Sequence, residues 1–312
     1  MPAPSNNNDP ASSESISLQG RQIELKHLAK VFWPDTGRSK GDMLRYYRTV
    51  APLILPYLRS RPLTLKVCPD GIAAGCYYRR KLPDYAPEWM PRALYNPKSR
   101  SGQVPLIQAN DAAQLLWLAN QAAIEFHVWS SRSGDLAHPD WLVLDLDPGA
   151  RATFAEVLQA ALFVADGLTE LGLKGWPKTS GGRGLHVFVP LARGRYNHAQ
   201  ARAWVRSFSE GLVRNHAELL RLPHGATHEG WGVFIDYAQN GYGRNTAAPY
   251  TLRAKPGAPV STPLRWSEVK SGGFLPHDFT LASAPERFVA LGDLFAGVLS
   301  SQQELPQLSP MA

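Results

Sequence analysis

The sequence predicts an α+β fold of α/β character, a sheet flanked by helices with an N-terminal α/β extension. Three observations predict it. The run Trp141-Leu-Val-Leu-Asp-Leu-Asp-Pro-Gly149 has the length and side chains of a buried strand ending in a turn. Amphipathic helical stretches follow at about 154 to 171 and 198 to 220, each leading into another apolar strand run. From Asp145 onward the order is therefore strand, helix, strand, helix, strand, strand, which places a site at one edge of a sheet.

Along the chain, residues 1–20 are rich in Asn, Ser and Pro without an apolar core, and they read as a disordered tail. The stretch resembles neither a signal peptide nor an anchor. The segment 21–34 closes on Val31-Phe-Trp-Pro34. Ser39 then caps a helix whose Met43, Leu44, Tyr47, Val50 and Leu53 recur at helical spacing. A strand at 63–67 and a glycine turn precede Cys76-Tyr-Tyr-Arg-Arg-Lys81. An Ala- and Leu-rich helix is expected at about 111 to 126. Residues 21–299 form a single domain, with an N-terminal part at 21–135 and a core part at 136–299. Residues 300–312 are expected to be a flexible tail.

Composition narrows the function. Lys and Arg exceed Asp and Glu by 33 − 26 = 7, which favours an anionic partner, nucleic acid before a membrane surface. No apolar run approaches a membrane span. Cys68 and Cys76 are too few for a disulfide scaffold or a cysteine zinc site, and a reducing cytoplasm is the natural setting.

Several motifs carry chemistry. Strand alternation projects Asp145 and Asp147 from one face, with Leu144 and Leu146 packed behind. Two carboxylates at that spacing suit Mg²⁺ or Mn²⁺. A plain Asp-Pro-Gly turn would explain Asp147 but not Asp145. Asp236, in Gly232-Val-Phe-Ile-Asp-Tyr237, repeats the pattern of an acid in an apolar strand. Three such acids can bridge two cations for in-line phosphoryl transfer, although a salt bridge to a core cation would also account for Asp236. Ser180-Gly-Gly-Arg-Gly184 is either a phosphate cradle or simply a turn; it is not a Walker loop. His186 next to it is a ligand or a core histidine. Tyr77, Tyr78, Arg79, Arg80 and Lys81 suit stacked bases and phosphates, or else a strand with one buried tyrosine. His224 and His228 have metal-ligand spacing, but Pro223, Gly225 and Gly230 place them in a loop.

Taken together these segments resemble the polymerase domain of bacterial ATP-dependent DNA ligase D, of the archaeo-eukaryotic primase superfamily. The resemblance covers about 25 to 291. It rests on Lys30-Val-Phe-Trp-Pro with Lys40-Gly-Asp, Arg61-Pro-Leu-Thr-Leu-Lys66, Leu116-Trp-Leu-Ala-Asn120 and Glu125-Phe-His127. Further on come Leu144-Asp-Leu-Asp-Pro-Gly149, Lys178-Thr-Ser-Gly-Gly-Arg-Gly-Leu-His186, Asp236-Tyr, Ala248-Pro-Tyr-Thr-Leu-Arg-Ala254 and Pro256 to Trp266.

The resemblance implies a primase-type, RRM-like catalytic core and template-directed nucleotide addition at gaps and broken ends. It implies that Asp145, Asp147 and Asp236 hold two Mn²⁺ or Mg²⁺ ions. Ser180, Arg183 (usually Lys in the family), His186 and Arg253 would hold the triphosphate of an NTP or dNTP, with ribonucleotides and Mn²⁺ favoured. Lys66 and His127 match further nucleotide-pocket positions. Lys30 and Lys40 match a pocket for the 5′-phosphate, Tyr77 and Tyr78 replace paired template-stacking phenylalanines, and Arg80 stands where a DNA-contacting lysine is usual. Glu229 departs from the family by standing where an arginine near the triphosphate belongs. No Lys-x-Asp-Gly ligase motif occurs, so a stand-alone polymerase served by a separate ligase and an end-binding protein such as Ku is expected, in the cytoplasm at the nucleoid. An inactive 5′-phosphate end-binding module and a metal-dependent nuclease are the competing readings.

Overall fold

The structure, a computed structural model, describes residues 13–95, 103–223 and 230–308. Helix α1 (Lys40–Leu58) starts as expected. Asp42 N–H donates to Ser39 Oγ at 3.2 Å, and Ser39 N–H donates back to Asp42 Oδ2 at 2.8 Å, a reciprocal cap. Met43, Leu44, Tyr47 and Val50 face the core, and the Tyr47 hydroxyl donates to the Ile124 carbonyl. Strands β1 (Leu63–Val67) and β2 (Tyr77–Arg79) follow, joined by a loop in which Cys68 and Cys76 form a disulfide. The two cysteines expected in a reducing setting are thus bonded, because the tight β1–β2 connection brings their Cα atoms to 4.3 Å.

The helix expected at 111–126 stops early. Helix α2 (Ala112–Asn120) is capped by Asp111, Ala122 takes a left-handed φ of 61°, and Ala123–Trp129 is strand β3. All seven β3 residues are buried, although Glu125 and His127 alternate with Ile124, Phe126 and Val128; the Ala- and Leu-rich run just before them masks that strand period. Its Ile124, Phe126 and Val128 prefer a pleated sheet, and both its edges are paired.

The second half contains β4 (Trp141–Pro148), α3 (Phe154–Glu170), β5 (Trp176–Thr179), β6 (Leu185–Pro190), α4 (His198–Asn215), β7 (Leu220–Arg221), β8 (Val233–Ile235) and β9 (Asn245–Ala247). Strands β5-β6-β4-β8-β7 form one sheet, antiparallel apart from the β7–β8 pair, and β9-β3-β1-β2 form the other, antiparallel throughout. Mixed helices and mainly antiparallel sheets make the class α+β. The acid-bearing strand lies at the centre of its sheet, between β6 and β8.

The two faces of β4 enter different cores. Leu142, Leu144 and Leu146 pack with Leu185, Val187 and Val189 under Val157 and Val164 of α3 and Val205 of α4. Trp141, Val143 and Phe188 point the other way, into the core shared with Leu65, Phe126 and Val128. Each fully buried leucine contributes about 1.5–3 kcal/mol through burial.

Both ends carry more structure than expected. Glu14–Leu18 pairs antiparallel with Arg21–Leu25, because Ser15-Ile-Ser-Leu18 alternates and sets Ile16 and Leu18 against the core. At the other end Leu305 and Leu308 pack on the second core, and Trp204 Nε1 donates to the Pro306 carbonyl at 2.9 Å. Among the described residues no helix is long and apolar enough to cross a membrane.

Candidate active site

The register of the acid-bearing sheet sets the geometry. Asp145 lies opposite His186, and His186 lies opposite Lys178 on β5. On the other side Leu146 and Asp147 pair with Ile235 and Phe234, and Asp236 N–H donates to the Asp145 carbonyl at 2.9 Å. Cross-strand neighbours share a face, so Lys178, His186, Asp145 and Asp236 form one row, with Asp147 two residues further along β4. This is the face turned away from the Leu142, Leu144 and Leu146 core. Asp236 differs from its sequence reading: it sits one residue beyond β8, half-buried, and its Oδ1 accepts from Ala238 N–H at 2.8 Å as the cap of a short 3₁₀ turn.

A pocket of about 380 Å³ opens over this face, lined by Asp145, Asp147, His127, Ser180, Arg183, His186, Arg253 and Lys255, among others. Its wall joins two carboxylates to several cations. Hard carboxylate oxygens on one face match Mg²⁺ or Mn²⁺ in donor chemistry. Among the described residues, however, no three His, Cys, Asp or Glu side chains converge into a ready metal cage.

The glycine-rich loop is built for close approach. Gly181 has a φ of +68°, and a Cβ on Gly184 would come within 2.3 Å of the Leu146 carbonyl. Two loop amides, of Gly182 and Gly184, donate to Ser180 Oγ at 3.1 and 3.2 Å. Those amides therefore point inward, and an anion in the pocket would meet the side chains of Arg253, Lys255 and Arg183. Arg183 is itself tied back to the Asp-Pro-Gly turn, donating to the Gly149 and Ala152 carbonyls at 3.0 and 3.2 Å.

Three residues that the sequence reading did not single out organise the wall. Lys255 lines it. Lys178, fully buried, places Nζ 2.8 Å from His186 Nδ1 and donates to Ser261 Oγ at 2.6 Å, while His186 Nε2 stands 3.2 Å from Asp145 Oδ1. Burial, with Arg253 nearby, pushes the Lys178 amine well below its ordinary range; burial and Lys178 do the same to His186. Glu125, also fully buried, accepts from His127 Nε2 at 2.8 Å, from Arg253 Nε at 2.9 Å and from Ala254 N–H at 2.9 Å. Burial raises its pKa, but the His127 hydrogen bond and the Arg253 charge outweigh that and hold the carboxyl below the usual range. Lys66 Nζ lies 3.4 Å from Glu125 Oε1, and Lys66 is not among the pocket-lining residues. Glu125 belongs to the Glu125-Phe-His127 motif of the resemblance, but it falls inside the helix expected to run to 126, which gives it no role beside His127.

The remaining candidates lie outside the pocket. Tyr77 and Tyr78 are both exposed, at 44% and 60%, so neither is the buried strand tyrosine of the bland reading. Tyr78 meets His127 edge-on at 5.9 Å, which sets Tyr78 at the pocket's rim. Arg79 donates to the hydroxyls of Tyr77 and Tyr85, and Arg80 is exposed. Lys30 pairs with Asp70, and Lys40 is buried with Nζ donating to the Lys26 carbonyl at 2.7 Å. Burial and the charge of Lys30 lower the Lys40 pKa to about 8. His224, His228 and Glu229 lie outside the described residues.

Comparison with known proteins places this geometry in a family. The family model for the LigD primase-polymerase domain matches residues 39–295. The multifunctional non-homologous end joining protein LigD of Mycolicibacterium smegmatis is 32% identical over 250 residues, 80% of this chain and 32% of the relative. Its Pseudomonas aeruginosa counterpart is 30% identical over 292 residues, 91% of this chain and 34% of the relative. The chain thus spans about a third of these relatives. The polymerase domain from Mycobacterium tuberculosis ligase D, solved in complex with DNA, superposes with a TM-score of 0.82 at 28% identity, over 90% of this chain and 99% of that one.

Proposed function

From the premise that the chain belongs to the LigD primase-polymerase domain family, we propose that it is a template-directed nucleotidyltransferase extending primer ends at gaps and double-strand breaks during end joining. The observation that carries this reading is the pocket over β4 and β6, where strand-borne carboxylates and a set of cations face one cavity. Asp145, Asp147 and Asp236 would hold two divalent ions, Mn²⁺ or Mg²⁺, which lower the pKa of an attacking hydroxyl and neutralise a leaving phosphate. Arg253, Lys255 and Arg183 bind and orient the triphosphate, with His186 and Ser180 beneath it. Lys66 and His127 complete the nucleotide pocket.

Tyr77 and Tyr78 offer stacking faces to the template, and Arg80 meets its backbone. Lys30 and Lys40 take the 5′-phosphate across the gap, displacing Asp70 from Lys30. On this reading the enzyme favours ribonucleotides and Mn²⁺. It works in the cytoplasm at the nucleoid, and depends on a ligase and an end-binding protein such as Ku.

The test is extension of a labelled primer on a gapped duplex. It compares ribo- with deoxynucleotides, Mn²⁺ with Mg²⁺, and a 5′-phosphate with a 5′-hydroxyl across the gap. Extension that copies the template, strongest with ribonucleotides, Mn²⁺ and the phosphate, is expected. Shortening of the labelled strand would instead identify a nuclease. Phosphate-dependent binding without extension would leave an end-binding module.

A further inference from the structure

We propose that Glu125 is the positioning residue of the nucleotide pocket: one buried carboxylate aims Lys66, His127 and Arg253 and fixes which nitrogen of His127 can accept a hydrogen bond from the bound nucleotide. The proposal rests on the nucleotide-pocket reading above, and deepens it.

The geometry points to this role. Glu125 and His127 alternate on β3, so both side chains leave the same face of the four-stranded sheet. Arg253 reaches the same carboxylate from 128 residues away and Ala254 N–H from 129. Lys66 lies directly opposite Glu125 in the β1–β3 ladder. One carboxylate thus gathers three side chains from three separate segments, and two of the three line the pocket. Taking a carboxylate wholly out of water is costly, and an apolar side chain of similar size would pack the site at less expense. What an apolar side chain cannot do is hold the guanidinium by its Nε and the imidazole by its Nε2.

The hydrogen bonds also decide a tautomer. An ionised carboxylate can only accept, so His127 Nε2 must carry the proton in its 2.8 Å contact with Glu125. Burial, opposed by the Glu125 hydrogen bond, lowers the His127 pKa and so favours the neutral ring over the imidazolium. Nδ1 is then left with a lone pair and serves as an acceptor towards a ligand donor. Were Nδ1 protonated instead, the same ring would present a donor and recognise a different group.

The unmodified protein gives the first test. Two-dimensional ¹⁵N NMR of the histidine rings, with His127 assigned by loss of its signals in His127→Gln, is expected to show Nε2 protonated and Nδ1 bare. A protonated Nδ1 would overturn the proposal, and this measurement requires no Glu125 variant to fold. The second test is Glu125→Gln, which keeps the shape and removes the charge. The KM for the nucleoside triphosphate is expected to rise about tenfold or more, with kcat at saturating nucleotide falling less, and the Nε2–H signature to be lost. Glu125→Asp keeps the charge with one methylene less reach, and its KM should fall between the two. A Gln variant with the parent tautomer and the parent KM would overturn the proposal. Calorimetric binding of ATP alone is measured in parallel. If no primer is ever extended, the polymerase reading fails by itself, while tautomer and ATP affinity still decide the role of Glu125.

Discussion

Asp145 on β4 and Glu125 on β3 are both acids in the middle of apolar strands, 7% and 0% exposed, yet they face opposite surroundings. Asp145 looks into an open pocket beside Asp147, with His186 Nε2 3.2 Å from its Oδ1. Glu125 is enclosed by an arginine, a histidine, a lysine and a backbone amide. Glu125 is thus ringed by the protein's own cations, while Asp145 shares the wall of an open pocket with a second carboxylate, where the proposed function seats divalent cations. What a buried carboxylate does follows from its neighbours rather than its burial.

The largest effect is expected from removing the pocket-facing pair. Asp145→Ala with Asp147→Ala should reduce primer extension by at least about a thousandfold, roughly 4 kcal/mol of barrier, while gel-shift affinity for gapped DNA stays within a few-fold. Extension at the parent rate would remove any catalytic difference between the two acids.

A cost of another kind belongs to the back of the same strand. Leu144→Ala should lower stability by about 2–5 kcal/mol in urea unfolding and leave the KM of the folded enzyme unchanged. A shifted KM with little loss of stability would mean that the two faces of β4 are not separable.

At the pocket's rim, Tyr78→Ala should weaken binding of single-stranded template by about 1–3 kcal/mol, read by fluorescence anisotropy at fixed salt. An unchanged affinity would detach that rim from the DNA path.

The smallest effect concerns pH. Protonated Lys40 is the form that attracts a phosphate, and its pKa is lowered to about 8. Raising the pH from 7 to 9 empties that form, so the affinity advantage of a 5′-phosphate over a 5′-hydroxyl should shrink several-fold across this range. Bound phosphate favours the charged amine and moves the midpoint above its free value. An advantage that grows with pH would place the phosphate elsewhere.

Much of this was legible beforehand where local pattern and tertiary context agree. The Ser39 cap, the 185–190 strand and the inward Leu144 and Leu146 follow from side-chain period and capping chemistry alone. The short strands Trp176–Thr179 and Asn245–Ala247 were missed because three or four residues carry too little periodicity. The helix expected to run to 126 overshoots because the Ala- and Leu-rich run continues straight into β3, whose Ile-Glu-Phe-His-Val alternation begins only at Ile124. The Glu125-Phe-His127 motif is legible but the role of Glu125 is not: its partners Arg253 and Ala254 lie 128 and 129 residues away, and only the folded chain brings them together. Its depressed carboxyl and the shared tautomer with His127 are properties of that assembly and of no segment within it.

A crystal soaked in MnCl₂ with a non-hydrolysable nucleoside triphosphate, read by anomalous scattering, tests the account most directly. Two manganese peaks bridged by Asp145, Asp147 and Asp236, with Asp236 turned from its cap on Ala238, are the expected result. Manganese bound elsewhere, or a nucleotide seated with Asp236 still capping the 3₁₀ turn, would contradict it.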